Sequence, residues 1–343
     1  MLALAVSVQV ALAAPGDVVL EKAAVVRRAK EAMHAKVIIT IANAKPSDAL
    51  DEAFAVAFGV FEKIDTTMNE WRPDSPLSRI NAGAGVEAVE APAELCAVLK
   101  LALDGAKRTN GLFDPTWAAL RDVWRFTGSV EQALPAPDVR EAACQRVSYK
   151  DVELRPKPKG GGACTVKLKQ KGMALGLGGF VKGWGIDQAS AELKKRGYRD
   201  FFVQVGGDLY VSGKNGERGW KVAIREPRGA ADATFARGEL SDTAFSTSGD
   251  YEKFFMNEGK RYHHLIDLRT CLPATASVSA TVMAKTAADA EVLTKAVFVL
   301  GGEEGLKLAK GFGAAAVIVA PDGKVFASEE LKSKLDLGQP AGF

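Results

Sequence analysis

Residues 176–187, GLGGFVKGWGID, crowd five glycines and one lysine into the mouth of what reads as a helix. Backbone amides with no side chains in front of them, beside one ammonium, suit a phosphate group. A phosphorylated ligand is therefore expected here, with Gly176, Gly178 and Lys182 against it; a solvated lysine at a helix start is the plainer alternative for Lys182. Two further glycine turns, VQVGGDLYVSG at 203–213 and FSTSGDYEKFF at 245–255, have the same character, and the second offers Ser248, Gly249 and Asp250 to the phosphates. The chain holds three histidines. His263 and His264 alternate on a strand, so one must point inward, and the other could act as a base near neutral pH.

The elements that position these residues must come from one large domain or two closely packed ones, since 343 residues at 47% hydrophobic composition can bury a substantial core. Forty-five basic against 42 acidic residues leave a net charge of +3, too slight and too evenly spread for a nucleic-acid surface. The uncharged apolar run up to Ala11-Leu12-Ala13 reads as a signal peptide over 1–13, too short to span a bilayer and lacking a basic start. Residues 14–343 then form the working domain, with a subdomain junction expected near 127–138, TGSVEQALPAPD.

Apolar spacing predicts helices over 48–66, 92–109, 183–196 and 286–299. QRVSYKDVEL and CTVKLKQK alternate on either side of RPKPKGGGA and predict a hairpin; FFVQV, WKVAIRE, HHLID, SVSATVMA and AAAVIVAP read as strands, the last followed by a turn at Pro321-Asp322-Gly323. Evenly repeated βαβ units and the GxGxxG spacing of a dinucleotide fold are absent. The expected class is α+β, with mixed, largely antiparallel sheets packed with helices. Cys96, Cys144, Cys164 and Cys271 lack zinc-site spacing and read as buried thiols, with a Cys144–Cys164 bridge across the hairpin as the alternative.

Seven blocks, in order, resemble the ApbE flavin transferases: MNEWRPDSPLSRIN, GLFDPTWAALRDVWRF, LGGFVKGWGID, VGGDLYVSG, STSGDYEKFF, RYHHLIDLRT and EVLTKAVFVLGG. The resemblance runs from about Met33 to about Gly323. It implies a T-fold-like α+β architecture and an exported, periplasmic enzyme that binds FAD and magnesium. That enzyme would attach FMN through a phosphoester to a threonine of a respiratory membrane-complex flavoprotein, releasing AMP, with loose association to the inner membrane. Carried over by motif, Met33, Trp71, Leu112, Phe113, Asp114 and Ile266 would line the flavin pocket, Lys182 would offset the diphosphate charge, and His264 would help activate the acceptor threonine.

The metal position is where the chain departs most from that family. Gly179 matches a metal-facing carbonyl, but Glu291 stands at an aspartate position and Lys295 at a threonine position. Magnesium prefers hard oxygen ligands, and an ammonium in its shell repels it. Thr294 could donate a hydroxyl from nearly the same helical face, Lys295 could swing away, its ammonium could take over the charge of the metal, or activity could be lost. Met33-His34-Ala35 stands where the family has Met-Gly-Thr, Gly176 replaces an aspartate, and Leu268 and Cys271 replace a proline and a glycine. FAD hydrolysis and non-catalytic flavin binding are the rival functions.

Overall fold

The computed structural model describes residues 18–20, 25–126, 132–157 and 161–343. The expected signal segment 1–13 lies outside them, as do residues 127–131 of the expected junction. A nine-stranded sheet forms the frame, in the order Val18–Leu20, Val25–Ala32, Ala35–Ile41, Phe201–Val205, Asp208–Ser212, Thr243–Gly249, Ser279–Ala284, Ala315–Val319, Val325–Ala327. Each of its ladders is antiparallel. The α+β expectation holds.

Alternation along the strands decides which layer each side chain joins. Val37, Ile39 and Ile41 face helices and are fully buried, joining Phe54, Phe61, Leu99, Ile186, Leu193 and Phe298 in the main core. The helices on this face run Asp48–Thr67, Ala93–Arg108, Val181–Lys195 and Ala287–Leu300, within one or two residues of the spacing-based bounds. Across the sheet, Val211, Phe245 and Val317 pack against a three-stranded sheet (Trp220–Arg225, Thr234–Leu240, Leu335–Leu337) and the short helix Glu329–Lys334. A third cluster stacks Trp124, Phe255 and Tyr262 beside Cys271.

The Val152–Pro156 and Cys164–Leu168 hairpin forms as expected, although its first strand starts later than the alternation suggested, after a turn of 3₁₀ helix at Tyr149–Asp151. HHLID divides between two strands, Lys260–His263 and Ile266–Asp267. The expected junction is not a loose connection at its described end. Gln132 donates its amide to the Met256 carbonyl, and Asn257 Nδ2 donates back to the Gln132 carbonyl.

Neither cysteine expectation survives. Cys96 pairs with Cys164 and Cys144 with Cys271, so the chain has no free thiol and no Cys144–Cys164 bridge. Cys164 sits opposite Ala91, at the edge where the Ala93–Arg108 helix starts, whereas Cys144 ends a separate helix, Pro137–Cys144, facing the aromatic cluster. Cys271 has φ 54°, a left-handed conformation consistent with its replacing a glycine.

Candidate active site

The Val181–Lys195 and Ala287–Leu300 helices cross so closely that a Cβ on Gly183 would fall 2.3 Å from the Ala287 carbonyl oxygen. A Cβ on Gly185 would meet Ile64 at 2.7 Å, and one on Gly176 would meet Trp117 and Ala118 at 2.9 Å. Three of the five glycines are thus required by packing. Gly176 in particular is a structural hinge point, its amide donating to the Pro115 carbonyl and its carbonyl accepting from Trp117 Nε1, rather than the phosphate contact expected of it.

Close approach of the two helices builds a buried charge cluster. Lys182 Nζ lies 2.6 Å from Asp208 Oδ2 and 3.5 Å from Glu291 Oε1, and Lys295 Nζ lies 3.5 Å from the same Glu291 oxygen. Glu291 Oε2 accepts the Gly183 amide at 2.7 Å, so this carboxylate sits on the amino end of the Val181–Lys195 helix, where the helix dipole favours an anion. The open helix mouth read from the glycines therefore already holds a carboxylate from a residue 108 positions away. Asp208 Oδ1 accepts from Ser246 Oγ, which in turn lies 3.4 Å from Thr294 Oγ1.

Burial alone would lower the pKa of Lys182, but the Asp208 and Glu291 carboxylates outweigh it and hold the ammonium well above its ordinary range. Asp208 moves down: burial opposes ionisation, and the charges of Lys182 and Lys295 overcome it. Burial dominates for Glu291, raising it against the pull of the two lysines, and also for Lys295, lowering it against the pull of the two carboxylates.

Gly179 and Phe113 adjoin this cluster. A Cβ at Gly179 would come 3.6 Å from Lys295 Cε and 4.0 Å from the Phe113 ring, so the lysine stem passes directly over the glycine. Gly178 faces Glu70, whose buried carboxyl is raised by desolvation while the amides of Gly178 and Leu177 pull it down. Glu70 and Trp71 are adjacent, and Trp71 is 59% exposed, with the Arg121 guanidinium 5.6 Å from its ring. Trp71, Met33 and His34 line a cleft of about 580 Å³ together with Glu31, Asp65 and Arg72. Met33 and His34 occupy the two-residue hairpin turn between Ala32 and Ala35 with φ of 53° and 56°, so His34 keeps a backbone conformation that favours glycine.

Imidazole roles separate cleanly. His263 is the inward one: its Nε2 donates to the Ala274 carbonyl, its Nδ1 accepts the Leu265 amide, and its ring meets Phe298 edge-on at 5.5 Å. His264 is half-buried, with Nδ1 donating to the Lys253 carbonyl, which leaves Nε2 as the basic nitrogen. Desolvation, then the neighbouring His263, Lys253 and Lys295, push its pKa down to about 3.

Other expected residues divide. Ser248 lies on the same face of its strand as Ser246 and is buried near the cluster. Gly249 is glycine because a Cβ would strike the Tyr251 ring at 2.3 Å, and Asp250 is clamped by Arg228 at 2.7 and 2.8 Å and by Arg261. Leu112 packs on the main core and Ile266 on the aromatic cluster. Asp114 holds the chain in place: its carboxylate accepts the Thr116 amide and hydroxyl and the Tyr149 amide. Asp208, Ser246 and Glu70 were missed. A polar residue opening a strand whose five positions are all buried was the available signal for Asp208.

Magnesium can be tested against these donors. No group of three or more His, Cys, Asp or Glu able to hold a metal occurs among the described residues. Thr294 donates its hydroxyl to the Glu291 carbonyl of its own helix and faces Ser246, and Lys295 reaches toward Glu291 instead of swinging away. At an effective dielectric of about 20 and about 4 Å, a dication gains roughly 8 kcal/mol from each carboxylate and loses roughly 8 to each ammonium. Two of each leave nothing to offset the dehydration that magnesium resists. The expected metal set of Gly179, Glu291, Thr294 and Lys295 does not fit the ion.

A model of the ApbE family matches residues 33–318. The chain belongs to the ApbE family. It is 33% identical over 301 residues to an FAD:protein FMN transferase of Treponema pallidum, covering 84% of this chain and 83% of the relative. A transferase of the same description from Rhodobacter capsulatus is 31% identical over 83% of this chain and 54% of its own length. The ApbE protein of Thermotoga maritima superposes with TM-score 0.79 at 29% identity, covering 90% of this chain and 98% of its own; the flavin transferase ApbE of Vibrio cholerae gives 0.78 at 25%, covering 91% and 99%.

Proposed function

We propose that this ApbE-family chain transfers the FMN moiety of FAD to a threonine of an acceptor flavoprotein. What supports the reading is the meeting of Lys182, Lys295, Asp208 and Glu291 in one polar cluster beside Gly179, with Gly178 facing Glu70 and the adjacent Trp71 in a cleft shared with Met33. In the reaction the threonine oxygen attacks the FMN phosphorus, the bond from that phosphorus to the bridging oxygen breaks, and AMP leaves with the bonding electrons. The threonine proton passes to His264 Nε2. Lys182 and Lys295 balance the charge that develops on the bridging oxygen, so positioning and electrostatics supply most of the acceleration.

Two disulfides favour an oxidising compartment, in keeping with export to the periplasm. Among the described residues no helix is long and apolar enough to cross a membrane. Magnesium, which the family resemblance implied, has no fitting ligand set here, and no step is routed through it. The test is to incubate the full chain with FAD and a threonine-bearing acceptor peptide and follow peptide mass. Gain of one FMN with equal AMP is expected. Free FMN and AMP without labelled peptide would mean hydrolysis, and intact bound FAD would mean a binding protein; either overturns the reading.

A further inference from the structure

The buried cluster carries an assignment for Lys295 that depends on the flavin-transfer reading above. Three observations bear on it. Glu291 Oε1 is fully buried and makes no hydrogen bond, yet two ammonium groups stand 3.5 Å from it. Such an oxygen needs positive charge nearby, and here lysines supply it. The Lys295 stem crosses Gly179, with Cε 3.6 Å from where a Cβ would sit, so the lysine and the glycine backbone share one surface. Its side chain retains 21% exposure, so the residue is open in part to an arriving ligand.

The helix register explains why Lys295 alone occupies this place. Glu291 and Lys295 are four apart and share a face, while Thr294 turns its hydroxyl back on its own helix and toward Ser246. Lys182 reaches the same carboxylate from the other helix. Two ammonium groups and two carboxylates make the cluster neutral before any ligand binds. An incoming diphosphate then brings negative charge to an ammonium-lined rim.

We infer that the Lys295 ammonium takes, in this chain, the place a divalent ion would take beside Gly179 and Glu291, so that FAD is gripped and FMN transferred by two lysines without a metal. The bonds made and broken are those already given. As the phosphorus–oxygen bond to AMP lengthens, Lys182 and Lys295 donate hydrogen bonds to phosphate oxygens. No co-reactant is required beyond FAD and the acceptor threonine.

The experiment compares full-length chain stripped with EDTA against chain supplied with millimolar magnesium, reading FAD affinity by flavin fluorescence and FMN transfer by peptide mass. Wild type should bind FAD and transfer FMN with less than about a threefold difference between the two conditions. Lys295→Thr, which restores a hydroxyl at the position, should lose at least about tenfold in FAD affinity in EDTA and recover it with magnesium. Lys295→Met should lose affinity in both conditions. Wild-type binding or transfer that appears only with magnesium overturns the inference and leaves the transferase reading standing. Failure of wild type to bind FAD in either condition overturns both. Should a Lys295 variant fail to fold by circular dichroism, the wild-type comparison alone decides.

Discussion

The two ends of the candidate site are built in opposite ways. At the phosphate end, Glu291 is 0% and Asp208 2% exposed, and each is held from a different element: Glu291 by the Gly183 amide, Asp208 by Lys182 and Ser246. At the ring end, Trp71 is 59% exposed on a turn, fixed chiefly by its amide hydrogen bond to Asn69 Oδ1. The buried end is preorganised, with charges set before a ligand arrives, as electrostatic catalysis requires. On the proposed function, the open end leaves a face for the flavin ring and for the approaching acceptor. A site that transfers a group to another protein needs both properties, and this chain separates them in space.

The largest effect should come from the buried end. Lys182→Met leaves Asp208 and Glu291 with one counter-charge between them, which should cost about 3–5 kcal/mol of stability and at least about a thousandfold in transfer. Urea unfolding and acceptor mass would measure the two losses. A loss under about 1 kcal/mol would mean the cluster tolerates an uncompensated carboxylate and is wetter than its burial implies.

Next comes the bridge that ties the segment after His264 to the Pro137–Cys144 helix. The Cys144→Ser/Cys271→Ser pair opens a loop of 127 residues; the chain-entropy account sets an upper loss of about 5 kcal/mol, and a loss of about 2–4 kcal/mol is expected. Thermal unfolding of the double variant against wild type checks it. Unchanged unfolding would show that the aromatic stack of Trp124, Phe255 and Tyr262 holds that segment without help.

At the open end, Trp71→Ala should leave stability within about 0.5 kcal/mol and weaken FAD by roughly 5–10-fold through lost ring contact. Equal affinity for FAD in wild type and variant would remove Trp71 from the flavin pocket. The contrast between these two ends would fail if Trp71→Ala unfolded the chain while Lys182→Met did not.

The smallest effect is expected with pH. Because desolvation pushes the His264 pKa down to about 3, the imidazole stays basic through pH 5.5, and kcat/KM should change less than about twofold between 5.5 and 7.5 from this group. A histidine at 6.5 would cost about tenfold over the same range. The sign for stability follows: a depressed folded pKa means the contribution of neutral His264 is complete above 6.5 and is lost as pH falls toward 3. A kinetic limb near 6.5 would place His264 in a wetter setting.

The helices were legible because apolar spacing marks a buried face directly, and the Asp48–Thr67 and Ala93–Arg108 helices keep nearly the spacing-based bounds. The glycine run was legible as a special backbone but misassigned in part. Gly183 and Gly185 answer to helix crossings with Ala287, Ile64 and Phe61, contacts that no local spacing reveals. Asp208 was missed for the same reason, since its partner Lys182 is 26 positions away and the packing of the Val181–Lys195 helix on the Asp208–Ser212 strand brings them together. The disulfides fail the same way: pairing depends on which elements the fold abuts, and Cys144 is nearer Cys164 in sequence than the Cys271 it joins. Asp114 was carried into the pocket by motif alone, and spacing did not show that its carboxylate holds Thr116 and Tyr149.

A structure of the full chain with FAD bound in EDTA would test the central claim most directly. The account predicts the diphosphate against Gly179, with Lys295 or Lys182 Nζ about 3 Å from a phosphate oxygen and the isoalloxazine ring over Trp71. FAD lodged instead on the opposite face of the sheet, in the cleft lined by Arg27, Gln204 and Arg218, would contradict it.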